Sequence, residues 1–186
     1  MALLPGLMAV VLLLAVNAFF VAAEFSLVAV DRARIEASAA AGHRGDTRIR
    51  GLLRRLTPTM SGCQFGITVA ALLLGFVAEP IMARLLTGEA HATGLSVVAA
   101  IGAATVLHLV FGEQVPKYVA LATPEATIRS LASPLAAYSA ATRPLITGLN
   151  RFANAVARGL GVETRDQIST SRTRDELEDL IRQSGA

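Results

Sequence analysis

Three long stretches without a charged side chain constrain what this chain can fold into. Residues 1–23, 57–78 and 92–112 contain no Asp, Glu, Lys or Arg. A helix needs about 20 consecutive, mostly apolar residues to cross the hydrocarbon core of a bilayer, and each stretch is long enough. We therefore predict an all-α membrane protein with three transmembrane helices in contact with membrane lipid. The predicted spans are about 3–30, 58–83 and 93–115.

The composition agrees with a membrane chain. Only 17% of the 186 residues are charged, against about 25% in soluble domains. The net charge of +3 could suggest a nucleic-acid partner. The basic residues, however, cluster beside the apolar stretches, where Lys and Arg set topology, so we expect no nucleic-acid partner. We find no nucleophile–base pair, phosphate-binding loop or metalloprotease motif, and we expect that the protein is not an enzyme.

The first uncharged stretch has a secretory signal peptide as its alternative, with residues 21–23 (VAA) as a weak cleavage site. A signal peptide normally opens with a positively charged segment and has a shorter apolar run, so a transmembrane helix fits better. Two polar residues interrupt this helix, Asn17 and Glu24. They lie two turns apart on one face, which we expect to look into protein rather than lipid.

A basic segment follows the first span. Seven arginines and three acidic residues lie between positions 31 and 55, with a glycine-containing turn at 42–45. We predict a juxtamembrane helical hairpin over 31–56 on the cytoplasmic surface, and a solvated basic loop is the alternative. The positive-inside rule then places the amino terminus outside.

The second span carries a polar stripe, because Ser61, Gln64 and Thr68 recur at helical spacing. Residues 124–161 are apolar in part but contain Pro134 and Pro144, which we expect to break them into interfacial helices; a fourth span is the alternative. Residues 162–186 are predicted to be a polar linker and the start of a cytosolic helix. That unfinished helix suggests a fragment that a soluble domain would follow.

The end of the third stretch, residues 108–117 (HLVFGEQVPK), contains a candidate site. Gly112 permits backbone conformations closed to other residues, and Pro116 frees the carbonyl one turn earlier. We expect an opened helix that presents carbonyl oxygens beside Glu113. An acid at membrane depth is by default a functional candidate. The alternative is that Glu113 faces water in the headgroup region. We expect His108 to be a neutral histidine bonded to a neighbouring helix rather than a metal ligand.

Three segments resemble the transmembrane domain of the CNNM/CorC family, in its hemolysin-like branch. They are residues 17–28 (NAFFVAAEFSLV), 61–68 (SGCQFGIT) and 111–117 (FGEQVPK). The resemblance implies a homodimer of three-helix subunits with a cytosolic belt, in the bacterial inner (plasma) membrane. It also implies that cytosolic paired CBS domains would normally follow. The implied activity is Mg²⁺ export, coupled to Na⁺ entry.

The resemblance also implies a Mg²⁺ site formed by Asn17, Thr68, Gly112 and Glu113, with Gln64 and Glu24 as weaker candidates. The chain departs from the family pattern where Val21 and Ile67 replace polar ligands. Glu24 could add charge at the cytoplasmic mouth, but we favour its pairing with a hairpin arginine. Carboxylate, carbonyl and amide oxygens suit a hard cation such as Mg²⁺ and disfavour zinc or copper.

Two other functions remain open from the sequence. The chain could be a non-transporting sensor or regulatory module that controls another cation transporter, with a structural polar stripe. It could also be a membrane-damaging protein, as the hemolysin label suggests, although a regular multi-span chain argues against this.

Overall fold

The computed structural model describes residues 3–87 and 94–160. At residues 83–87 and 94–96 it describes the backbone alone. This part of the chain is helical and has no strand. In chain order the helices are α1 (Leu3–Ala29), α2 (Arg32–Ala40), α3 (Arg44–Leu53), α4 (Leu56–Thr87), α5 (Gly94–Leu107), a π-helical segment (His108–Gln114), α6 (Val115–Ala122) and α7 (Pro124–Gly159).

Three helical stretches are long and apolar enough to cross a membrane, which confirms the predicted fold class. They are Leu3–Ala29, Leu56–Met82 and Val97–Ala122. The third stretch ends later than predicted, because the helix continues to Ala122 through α6, which contains Pro116 and Lys117. The protein is therefore a multi-pass membrane protein in a lipid environment.

The chain divides into two compact units, residues 1–148 and 149–186. The described part of the second unit, residues 149–160, consists of the last turns of α7 and a closing turn. The candidate sites lie entirely in the first unit.

The segment between the first two spans forms the short helices α2 and α3. Asp31 begins α2, because its carboxylate accepts hydrogen bonds from the backbone N–H groups of Ala33 and Arg34. Gly42 joins the two helices with a φ of 93°, a left-handed conformation that favours glycine. The basic segment is therefore structured rather than a solvated loop.

The main hydrophobic core joins this segment to the ends of α1 and α4 and to α7. Ile35 and Ile49 come from the two short helices, and Leu27, Ile128 and Leu135 come from α1 and α7; all five are completely buried. A second, smaller core between α1 and α4 contains Val10, Leu74, Ala78 and Ile81.

Helix α7 runs without interruption from Pro124 to Gly159. The expectation that Pro134 and Pro144 break it is therefore wrong. Each proline removes one backbone hydrogen bond, but the helix buries Ile128, Ala132 and Leu135 on one face. Packing along that face offsets the local cost.

Candidate functional site

The π-helical segment His108–Gln114 lies inside the third candidate span. In an α-helix the carbonyl of Gly112 would accept from the N–H of residue 116, but Pro116 has none. The N–H of Val115 instead donates to the carbonyl of Val110, five residues earlier. We expected an opened helix here. The structure keeps the helix continuous and widens it, a form often found at functional sites.

Asn17 of α1 meets the freed carbonyl. Its Nδ2 donates a 2.9 Å hydrogen bond to the carbonyl oxygen of Gly112, and its side chain is completely buried. The face of α1 that carries Asn17 thus looks into protein, as predicted. The other amide atom, Oδ1, is buried and has no hydrogen-bond partner among the described residues. A buried acceptor left unpaired costs about 1–3 kcal/mol, which a bound cation or water would relieve.

Gly112 allows this close approach because it has no side chain. A Cβ placed there would lie 2.7 Å from Cδ2 of His108 and 3.2 Å from Nδ2 of Asn17. Any side chain at position 112 would therefore displace the imidazole ring or the amide. Because position 112 is a glycine, α1 and the imidazole ring of His108 can both pack against the π-helical segment within the membrane-spanning region.

His108 is the functional candidate that sequence reasoning set aside. Its Nε2 is buried without a hydrogen-bond partner in the described part of the chain, so the expected bond to a neighbouring helix is absent at this atom. Oε1 of Glu113 lies 3.7 Å from Nε2, which is too far for a hydrogen bond. The sequence signal that points to His108 as a site residue is its position one helical turn before Gly112.

The structure therefore brings together three of the four principal predicted ligands. Asn17 and Gly112 are joined by a hydrogen bond. The ring of His108 packs against Gly112, and Oε1 of Glu113 lies 3.7 Å from Nε2 of that ring. The Glu113 side chain is 41% exposed, and its carboxylate lies beside the imidazole of His108. Amide, carbonyl and carboxylate oxygens are the ligands that Mg²⁺ prefers.

Thr68 shows no contact with this cluster. Its hydroxyl donates to the carbonyl of Gln64 in its own helix, at 2.9 Å, and the residue is exposed. Gly66, two residues before Thr68, packs against the ring of Phe20. Ring carbon atoms of Phe20 lie 2.5–2.7 Å from where a Cβ added to Gly66 would be. That contact sets the spacing of α1 and α4.

Glu24 lies two turns along α1 from Asn17 and pairs with the second span. Its Oε1 accepts from Nε2 of Gln64 at 3.4 Å. The expectation that a hairpin arginine pairs with Glu24 is wrong, because among the described residues Glu24 forms no ion pair. The two weaker candidates thus contact each other, apart from the cluster around Gly112.

A cavity of about 180 Å³ adjoins the cluster between α4 and α5. Its lining includes His108, Thr105 and Glu79. The imidazole ring therefore stands between the contact of Asn17 with Gly112 and a space large enough for several water molecules. Within the described ranges no three His, Cys, Asp or Glu residues form a cluster that could hold a metal. An ion held here would therefore need amide and carbonyl oxygens beside the single carboxylate of Glu113.

A family model described as the cyclin M transmembrane N-terminal domain matches residues 7–186. The chain belongs to the CNNM family. Its curated relatives include the UPF0053 protein MT1890 of Mycobacterium tuberculosis, which is 38% identical over 96% of this chain and 41% of its own length. The uncharacterized protein Rv1841c of the same species is 35% identical, over 97% and 54%. The UPF0053 protein YhdP of Bacillus subtilis is 31% identical, over 96% and 42%.

The chain thus spans about half or less of the curated relatives it matches. Membership in the family confirms the resemblance carried by the three sequence segments. The matched range, residues 7–186, includes the positions of Asn17, Thr68, Gly112 and Glu113.

Proposed function

We propose that this chain is the membrane domain of a divalent-cation transporter that exports Mg²⁺, driven by Na⁺ entry. The observation that carries the proposal is the buried contact of Asn17 with the freed carbonyl of Gly112. That contact leaves Oδ1 of Asn17 without a partner in the described structure. Irregular backbone and unpaired acceptors at membrane depth are tolerated where they line a cavity or an ion path. Family membership supports a role in metal-ion transport.

In this proposal Mg²⁺ is the transported substrate, and the residues have separate roles. Asn17 and Gly112 supply neutral oxygens, and Glu113 supplies one negative charge. One carboxylate leaves part of the charge of a divalent ion uncompensated, which keeps affinity modest and allows release. Mg²⁺ keeps several of its waters when few protein oxygens are offered, and the cavity beside His108 has room for them.

The proposal extends to the arrangement of the whole protein. We place the amino terminus outside and the basic helices α2 and α3 in the cytoplasm of a bacterial cell, at the inner membrane. Two copies form a homodimer, and a CBS-type cytosolic domain is a further partner if the chain is a fragment of a longer protein. The module moves ions and carries out no enzymatic reaction.

The test is Mg²⁺ flux in proteoliposomes, with and without a Na⁺ gradient. Glu113→Gln keeps the size of the side chain and removes its charge, so we expect flux to fall at least tenfold. Glu36→Gln is the matched control, because Glu36 is exposed and pairs only with two arginines outside the spans, Arg50 and Arg54. Wild-type flux in Glu113→Gln would overturn the site assignment. Absence of wild-type flux in the full-length protein would favour a regulatory module instead.

A further inference from the structure

A second polar site lies outside the membrane-spanning cluster. The end of α3, the first turns of α4 and the middle of α7 enclose a cleft of about 720 Å³. Four arginines line this basic cleft, and no acidic residue does. They are Arg48, Arg54, Arg55 and Arg143.

The positive charge of the basic cleft is largely uncompensated. Arg54 forms an ion pair with Glu36, at 3.2 Å. The guanidinium groups of Arg48, Arg55 and Arg143 have no carboxylate partner among the residues that the structure describes. Like charges around one cleft repel each other, and an anion bound between them would remove that repulsion.

A neutral hydrogen-bond donor also lines the basic cleft. The hydroxyl of Ser139 is buried and has no hydrogen-bond partner within the described structure. Two neighbouring hydroxyls are already used, because Thr59 donates to the carbonyl of Arg55 at 2.7 Å and Thr142 donates to that of Tyr138 at 2.9 Å. A ligand oxygen in the cleft would satisfy Ser139, as buried polar groups require.

The side chains around the basic cleft indicate the class of ligand. Guanidinium groups bind phosphate oxygens in pairs. Arg55 immediately precedes the second candidate span, which begins at Leu56, so the cleft lies where lipid headgroups meet the protein. Its apolar lining includes Leu52, Pro58 and Ile146, which suits the glycerol and upper acyl carbons of a lipid better than a free ion. We propose that the basic cleft binds a phosphate-bearing anion, supplied by the headgroup of an anionic phospholipid.

Native mass spectrometry of the detergent-solubilised chain tests this proposal. The probes are phosphatidylglycerol, phosphatidylcholine and inorganic phosphate. A hydrogen bond between a guanidinium group and a phosphate oxygen contributes about tenfold or more to binding. The variant Arg55→Gln/Arg143→Gln should therefore lower the association constant for phosphatidylglycerol by about 100-fold. The matched control Arg32→Gln/Arg44→Gln removes two exposed arginines outside the cleft and should change it less than twofold.

Each outcome decides the question. Equal loss in the two double variants would show diffuse attraction by the whole basic surface and overturn the proposal. Displacement of the lipid by millimolar inorganic phosphate would show a free-phosphate site instead. Equal binding of phosphatidylcholine would show that charge does not select the ligand. If the cleft variant proves unstable, Ser139→Ala replaces it, and unchanged phosphatidylglycerol binding in Ser139→Ala would then refute the proposed contact.

Discussion

Replacing Gly112 by alanine tests the geometry of the site most sharply. The new Cβ would lie 2.7 Å from Cδ2 of His108, whereas carbon atoms rest at about 3.5–4.0 Å. The ring or the helix must therefore move by about 1 Å. Overpacking of this kind costs about 1–3 kcal/mol, and alanine returns about 0.5–1 kcal/mol relative to glycine in a helix. We expect a net destabilisation on the order of 1 kcal/mol.

The functional effect should be larger than the effect on stability. Moving the ring by about 1 Å also disturbs Asn17, whose Nδ2 lies 3.2 Å from the new Cβ. Mg²⁺ demands ligand distances of about 2.0–2.1 Å with little tolerance. Flux in proteoliposomes should therefore fall at least tenfold in Gly112→Ala, while helix content by circular dichroism stays unchanged.

Gly102→Ala is the control, because a Cβ at position 102 meets nothing within 4 Å. It lies in α5, so it shares the gain in helix propensity without the collision. We expect stability to rise by about 0.5–1 kcal/mol and flux to stay at the wild-type level. If Gly112→Ala matched Gly102→Ala in both measurements, the close contact of Gly112 with His108 and Asn17 would not matter and the reasoning would be refuted.

Three further predictions concern contacts outside the site. Asp46→Asn should lower the free energy of unfolding by about 2–3 kcal/mol, because the buried Asp46 accepts from Arg129 at 3.0 and 3.3 Å. Glu36→Gln should change it by less than about 1 kcal/mol, since Glu36 itself is exposed and its ion pairs lie at the protein surface. Tyr138→Phe should cost about 1 kcal/mol, because the Tyr138 hydroxyl donates to the carbonyl of Gly62 at 2.9 Å; thermal unfolding in detergent measures all three.

The Asp46 prediction includes a pH dependence. Hydrogen bonds from the Arg129 guanidinium and from the Ser38 hydroxyl hold the pKa of Asp46 below its usual value. A group with a lowered folded-state pKa contributes stability above its unfolded-state pKa. That contribution should shrink as the pH falls from about 4 through the lower folded-state pKa. Asp46→Asn should abolish this acid-dependent part of the stability curve, and an unchanged curve would contradict the assignment.

The membrane-spanning fold could be predicted because composition alone decides it. A stretch of about 20 uncharged residues has few alternatives to a transmembrane helix. The polar face of α1 was also predictable, since Asn17 and Glu24 are two turns apart and burial in protein is the favourable outcome for both. The structure agrees for Asn17, which is completely buried.

Side-chain partners could not be predicted, because they depend on how helices meet. Glu24 contacts Gln64 rather than an arginine, a result of the register between α1 and α4. Pro116 predicts that the carbonyl of Gly112 lacks its helical N–H donor, but the sequence does not determine whether the helix opens or widens there. In the structure the helix stays continuous as a π-helical segment, and Asn17 of α1 donates to that carbonyl. Pro134 and Pro144 do not interrupt α7, because the helix is stabilised by packing along its buried face, which the sequence around the prolines does not reveal.

The most direct test of the central claim is equilibrium Mg²⁺ binding, by isothermal titration calorimetry of the purified chain, wild type beside Asn17→Leu. Leucine has the same number and branching of side-chain heavy atoms as asparagine, but it offers no oxygen and cannot donate to the Gly112 carbonyl. The account predicts that the Mg²⁺ dissociation constant rises at least tenfold in Asn17→Leu and likewise in Glu113→Gln. Wild-type affinity in both variants, with folding preserved, would contradict it.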